Sequence, residues 1–224
     1  MMATRISGAD SNSSGKDGRR FERNLSFESN IRELSIMPEI NLAFLNKNSF
    51  WGKFSGFLYG GVAVFSFDPT TQFQGETVRL QPLGTEGQGI FGNEEKYALT
   101  QISIPMGAGL KIFLNDRWTV TIEGSARKTF TDHLDDVSTS YVENLDQLIS
   151  TNGTLAGQLS SRRWEYLNAQ CNCDDFTPAN SYPTSERGEA GNDDWYLTAG
   201  ITVSYKLRDL DFSRKGKGGC PNNF

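Results

Sequence analysis

From Gln101 to Leu114 nearly every second residue is apolar. Ile102, Ile104, Met106, Ala108, Leu110, Ile112 and Leu114 share one face, and Gln101, Ser103, Pro105, Gly107, Gly109 and Lys111 share the other. A period of two marks a β-strand with chemically different faces. The run exceeds the usual strand of about 5–6 residues and reaches the roughly 9–11 that cross a bilayer at a tilt. Asn115 and Asp116 supply a turn. The chain returns with Trp118, Val120, Ile122, Gly124 and Ala126 on the apolar face against Thr119, Thr121, Glu123, Ser125 and Arg127 on the polar one. The pair predicts a long antiparallel hairpin, apolar outside and polar inside.

The alternation recurs. Leu34, Ile36, Ile40, Leu42 and Phe44 interleave with Glu33, Ser35, Glu39 and Asn41. Phe54 to Phe67 is apolar on both faces but punctuated by Ser55, Gly56, Gly60 and Gly61. Trp195 to Leu207 alternates with Tyr196, Thr198, Gly200, Thr202, Ser204 and Lys206 on the polar face, and Thr4 to Ser7 reads as the tail of a further strand. Six strands are expected in all. Their connections alternate in length: a polar stretch from Gly8 to Arg20, a short turn around Asn46 to Lys53, a long stretch from Asp68 to Lys96, the Asn115-Asp116 turn, and a very long stretch from Thr131 to Asp194. Outer-membrane barrels sort long and short connections to opposite ends in this way. A soluble sheet can alternate its faces too but has no cause to sort its loops.

Composition changes this picture little. No stretch approaches the roughly 20 consecutive apolar residues of a membrane helix. A hydrophobic fraction of 37% and a mean hydropathy of -0.48 look soluble in bulk, but barrel strands look as mild because half their residues face the lumen. Trp118, Trp195, Phe50 and Trp51 stand at strand starts or beside a short turn. Amphipathic rings there meet lipid headgroups, or cap an ordinary core. A formal charge of -5 argues against a nucleic-acid partner, which needs a clustered basic face. Met1 to Ser7 has neither the apolar core nor the cleavage site of a secretory leader.

Candidate chemistry is sparse. Leu134, Val137, Tyr141, Leu145 and Leu148 are spaced three or four apart behind Asp132, and Leu155, Leu159, Arg163 and Leu167 repeat the spacing. The pattern predicts an N-capped helix and a second helix folded over a barrel mouth, with Asn168 to Asp194 as a flexible excursion. His133, the single histidine, stands beside Asp132, Asp135 and Asp136 as a carboxylate-held base would. No Gly-x-Ser-x-Gly context accompanies it, and acids at a helix start favour the helix dipole without any catalysis. Their spacing does not match a calcium-binding loop either. Cys171 and Cys173 offer two ligands for a soft metal, and Cys220 makes the count odd. On a barrel topology Cys220 lies across the membrane from the other two. Bridged Cα atoms lie within about 7 Å whereas the apolar band is about 25 Å tall, so no bond from Cys220 to Cys171 or Cys173 is expected. No catalytic residue, cofactor site or metal site is assigned. The inward charges Glu33, Glu39, Lys111, Glu123, Arg127 and Lys206 have both signs. They predict a salt-bridged lumen, with a conducting pore as the other reading.

The run Phe130-Thr131-Asp132-His133-Leu134-Asp135-Asp136-Val137-Ser138 is similar to the F-T-D-Y-L-D-D-V-S stretch of the PorG-like outer-membrane barrels of Bacteroidetes-type bacteria. Ser26 to Leu34, Ile104 to Lys111 and the closing Cys220-Pro221 resemble that family as well. The resemblance covers nearly the whole chain; the first run is fairly specific, the Gly-rich strand is not. It implies a small non-enzymatic barrel of the type IX protein secretion machinery, associated with a periplasmic ring built from a lipoprotein and its partner. Members of that family have a signal peptide and two strands before the equivalent of Arg5-Ile6-Ser7. The given start is therefore expected to be internal, and six strands to be part of an even-numbered eight.

The expected fold is an all-β, antiparallel up-and-down transmembrane β-barrel with a partly helical long outer loop. The barrel occupies residues 1–208 and is N-terminally incomplete, with outer loops at 8–27, 68–96 and 131–194, and residues 209–224 form a periplasmic tail. Its setting is the bacterial outer membrane, with outer-membrane lipid and periplasmic secretion-ring proteins as partners. Two other classes stay open: a lipid-modifying outer-membrane barrel enzyme, and a soluble lipocalin-like carrier with its apolar residues inward.

Overall fold

The computed structural model describes residues 1–12, 18–42, 53–90, 95–172, 186–189 and 191–207. The alternating runs become strands: β1 (Met2–Ala9), β2 (Ser26–Ile36), β3 (Glu39–Asn41), β4 (Phe54–Gly60), β5 (Val62–Ser66), β6 (Pro69–Phe73), β7 (Glu76–Arg79), β8 (Thr100–Phe113), β9 (Trp118–Thr129) and β10 (Trp195–Tyr205). All belong to one sheet, and every pairing is antiparallel. β2 and β3 follow one another across Met37-Pro38, and β4 and β5 across Gly61, both of the latter pairing with β8. The long lines are thus β1, β2–β3, β4–β5, β8, β9 and β10, each beside the next in chain order.

The single run expected from Phe54 to Phe67 is broken at Gly61 for a steric reason. A Cβ there would lie 1.9 Å from the Ile36 carbonyl oxygen, while the Gly61 amide donates to Pro105 O at 3.0 Å. Pro38 on the neighbouring line has no amide to give the ladder, so the interruptions coincide.

The expected closed barrel is not formed: among the described residues β1 pairs with β2 alone and β10 with β9 alone. About eight strands are needed for an interior that side chains just fill. Here six lines carry Phe57, Phe65, Phe67 and Tyr196 inward, all of them buried. The open sheet nevertheless curls strongly. Tyr196 on β10 donates its hydroxyl to Glu33 on β2 at 2.7 Å, although four strand steps separate them in the sheet order. At ~4.8 Å per step, a flat sheet would hold them roughly 19 Å apart. Only a trough brings them together.

The connections containing residues 10–25, 80–99 and 130–194 all leave from one end of the trough, and the Leu114–Arg117 turn lies at the other. The turn expected around Asn46 to Lys53, with Phe50 and Trp51, lies almost wholly outside the described residues, as do residues 209–224. The connection expected from Asp68 to Lys96 is partly strand, since β6 and β7 form a hairpin through Gln74 and Gly75 at φ 51° and 85°. Four short helices are present among the described residues: α1 (Gly18–Arg23), α2 (Leu145–Asn152), α3 (Thr154–Ser160) and α4 (Arg163–Cys171). The helix expected to begin at Asp132 does not form. Asp136 takes a left-handed φ of 64°, and the Val137 amide turns back to Asp135 Oδ1 at 3.0 Å. The first helix of this segment starts at Leu145, capped by Asn144, whose side chain accepts from the Gln147 amide at 3.0 Å. Leu148 and Ala156 pack between α2 and α3, and Leu159 packs on Phe73 and Leu80, so the long connections share a small apolar core of their own.

Candidate functional site

The arrangement with the clearest functional content is the sheet itself, because its polarity is inverted. On β10 Leu197 is 80% exposed and Ile201 73%, while Tyr196 is 4% exposed. On β2 Leu34 and Ile36 are exposed and Glu33 is 2% exposed; on β8 Ile102 and Ile104 are exposed and Ser103 is buried. Val62, Val64, Met106, Leu110, Ile122 and Val203 continue the same convex face. In water, apolar side chains leave the surface because each Å² buried gains about 25 cal/mol. Exposed apolar side chains run across five of the six strand lines, β2–β3, β4–β5, β8, β9 and β10, a face far larger than the few hundred Å² that soluble monomers expose.

Aromatic residues bound this face at both ends. Trp118 and Tyr205 pack with ring centroids 4.8 Å apart at the turn end. At the loop end Trp195 stands opposite Lys128, whose Nζ lies 5.8 Å over the Phe130 ring. Trp195 and Tyr205 mark the two ends of β10. Ten residue steps at ~3.3 Å span roughly 33 Å along the strand, which at the usual tilt of ~40° projects to about 25 Å, the height of a barrel's apolar band.

The concave wall combines buried aromatic side chains with paired polar groups. Arg127 Nε meets Glu33 Oε2 at 3.2 Å, both side chains almost fully buried. Arg127 also donates to the hydroxyls of Ser125 and Thr198, and Tyr196 donates to the same Glu33 oxygen. Above this layer Ile31, Phe65, Phe67, Leu134 and Tyr196 close the trough toward the loops. Below it Lys111 pairs with Glu39 and lies 4.8 Å over the Phe57 ring. Of the six inward charges, Arg127 with Glu33 and Lys111 with Glu39 thus form ion pairs in separate layers of the trough.

The loops are fastened over this wall by Arg187. Its guanidinium meets Glu86 Oε1 at 2.9 Å and Asp136 Oδ2 at 3.6 Å, and donates to Ser160 O at 3.1 Å. Glu86 also accepts the Ser138 and Thr139 amides at 2.8 and 3.1 Å. Burial acts to raise the Glu86 carboxyl, but Arg187 and those amides outweigh it and hold the group below its usual range. Asp136 accepts from the Thr85 and Tyr97 hydroxyls, both at 2.6 Å. Burial pushes it up to about 6 against the pull of Arg187 and those hydroxyls. Neither Glu86 nor Arg187 is signalled by periodicity or motif. Arg187 falls inside the stretch expected to be a flexible excursion, yet it is 3% exposed. The close approach of Gly188 to Ser138, where a Cβ would lie 2.6 Å from the carbonyl oxygen, lets that segment press into the cap.

The sequence-derived candidates for chemistry are scattered into structural roles. His133 stacks on Tyr97 with ring centroids 4.4 Å apart. Asp135 caps a turn through the Val137 amide, and Asp136 belongs to the Arg187 cluster. Asp194 accepts from the Leu134 amide at 2.9 Å, and burial, reinforced by Asp135, Asp132 and Asp193, pushes its carboxyl up to about 7. Cys171 is disulfide-bonded, so its sulfur is not a thiolate for a soft metal; Cys173 and Cys220 lie outside the described residues. A cavity of about 460 Å³ at the loop end is lined by Asp10, Arg23, Arg162 and Arg187 with Leu80 and Leu159. Those three arginines are already paired, with Asp10, Glu165 and Glu86.

Neither a curated protein nor a solved structure matches the chain. Residues 1–166 match a family described as a domain of unknown function, DUF6089. That match spans well over half of the sequence, and the chain belongs to the DUF6089 family.

Proposed function

We propose that this chain is a wall of an outer-membrane β-barrel that serves a protein secretion apparatus without catalysing a reaction. The observation that carries the reading is the inverted sheet, apolar on its convex side and ion-paired on its concave side. Lipid is the solvent that makes such a sheet stable. The aromatic residues at both ends of β10 support the same setting, since such rings favour the headgroup level. The disulfide at Cys171 fits an oxidising compartment such as the periplasm or cell surface. The loop end then faces outward and the turn end faces the periplasm. A soluble lipocalin-like carrier needs the opposite polarity. A lipid-modifying enzyme is disfavoured because His133, Asp135 and Asp136 are engaged in stacking, turn formation and cap fastening.

The secretion role rests on the resemblance of residues 130–138 to PorG-like barrels of type IX systems, with the turn end and tail contacting periplasmic ring proteins. Deleting the gene and restoring it on a plasmid tests both parts. The restored protein is expected in the outer-membrane fraction with heat-modifiable gel migration, and the deletion is expected to retain secretion substrates in the periplasm. A protein recovered in the soluble fraction contradicts the membrane reading; normal secretion in the deletion contradicts the secretion role alone.

A further inference from the structure

We propose that the convex face of the β1–β2 ladder binds the phosphate of a lipid headgroup through Arg5, Asn30 and Arg32; this rests on the membrane reading above. Arg5 stands opposite Asn30, and Ala3 opposite Arg32, so the two arginines are diagonal neighbours on adjacent strands. Such neighbours are about 7–8 Å apart, within reach of one phosphate for side chains of this length. Ile31 and Glu33, which flank Arg32 in sequence, are buried on the other side of the sheet, which puts Asn30 and Arg32 on the outer face.

The local bonding prepares these groups for an anion. Arg5 Nε donates to Asn30 Oδ1 at 3.1 Å, and Arg5 Nη1 meets Glu28 Oε1. These contacts fix the Arg5 side chain, which is still 63% exposed. Arg32 is exposed and has no acid partner among the described residues. Asp68, on the neighbouring line, is tied to Arg79 at 2.8 Å and leaves Arg32 uncompensated. Two guanidiniums against one carboxylate give the patch a net positive charge, and a phosphate oxyanion accepts paired N–H donors from a guanidinium.

Position selects a lipid as the source of the phosphate. Leu34, two residues below Arg32 on the same face, is 68% exposed, and Ile36 beyond it is 75% exposed. Val64 stands opposite Leu34, and Ser66 opposite Arg32. The acyl-facing surface therefore ends one row below the cations, where a headgroup sits when its chains lie on Leu34, Ile36 and Val64.

The full chain, reconstituted in phosphatidylcholine vesicles, is probed with trace spin-labelled phosphatidic acid or spin-labelled phosphatidylcholine. The fraction of label immobilised by the protein is read by electron paramagnetic resonance. Wild type is expected to favour phosphatidic acid by at least about fivefold. R5Q/R32Q is expected to bring the two lipids to parity while immobilising phosphatidylcholine as before, and R5K/R32K, which keeps the charge without the planar fork, to fall between. Parity in the wild type, or undiminished selectivity in R5Q/R32Q, overturns the site and leaves the membrane reading intact. Failure of the wild type to immobilise either lipid overturns the membrane reading and the site with it.

Discussion

At the scale of single residues, the groups that decide most are the buried charges. Glu33 and Arg127 lie behind an apolar layer, almost fully out of water. Removing one partner strands the other, at a cost of about 3–5 kcal/mol. Arg127→Met is therefore expected to lower the urea midpoint of unfolding sharply, and Glu33→Gln/Arg127→Met to recover most of the loss, because the pair is removed together. A double variant no better than the single one would show that the arginine acts through packing alone. Asp194 makes a prediction about pH. Its carboxyl titrates near 7 in the folded chain instead of at its ordinary 3.8, because burial holds the proton on. The folded state thus binds this proton more tightly than the unfolded state, and the stability it confers is present at low pH and lost as pH rises through that window. Asp194→Asn keeps an acceptor for the Leu134 amide and is expected to narrow the gap between the melting temperatures at pH 5 and pH 8. An unchanged gap would assign that pH dependence to other groups, Asp136 among them.

At the scale of elements, backbone proximity sets the breaks. Gly61 sits where one strand line crosses close to the Ile36 carbonyl. Gly61→Ala is expected to prevent the heat-modifiable folded form. Gly124→Ala, whose added Cβ would meet nothing nearer than Thr198 O at 4.0 Å, is expected to keep it. Equal behaviour of the two on a semi-native gel would remove the steric explanation. This is also where legibility in the sequence stops. The run read from Gln101 to Leu114 emerges as Thr100–Phe113, because strict alternation over that length has one solution. The break at Gly61 depends on a partner strand that alternation does not reveal. The helix expected from Asp132 had the right apolar spacing, but the backbone amides of Ser138 and Thr139 are taken by Glu86, 52 and 53 residues earlier in the chain. Arg187 was hidden for the same reason: its partners Glu86 and Asp136 are 101 and 51 residues away. Long-range pairs between single charged residues leave no periodic trace.

At the scale of the whole molecule, the edges of β1 and β10, unpaired among the described residues, and the inverted polarity belong together. An open sheet in lipid leaves a row of backbone groups unsatisfied on β10 and on β1, each costing several kcal/mol in hydrocarbon. The apolar convex face is equally costly in water. A membrane setting therefore needs both edges to be satisfied by groups outside the described strands. β10 offers the most direct measurement, since its outer residues and its inner ones come from one uninterrupted strand. Nitroxide labels are placed one at a time from position 197 to 203, in a background with the three native cysteines replaced by serine, and the protein is inserted into vesicles. Residues 197, 199, 201 and 203 are expected to collide freely with oxygen and rarely with a water-soluble nickel chelate; residues 198, 200 and 202 are expected to show the reverse or neither. Equal access to the nickel chelate at all seven positions would place β10 in water and contradict the membrane wall.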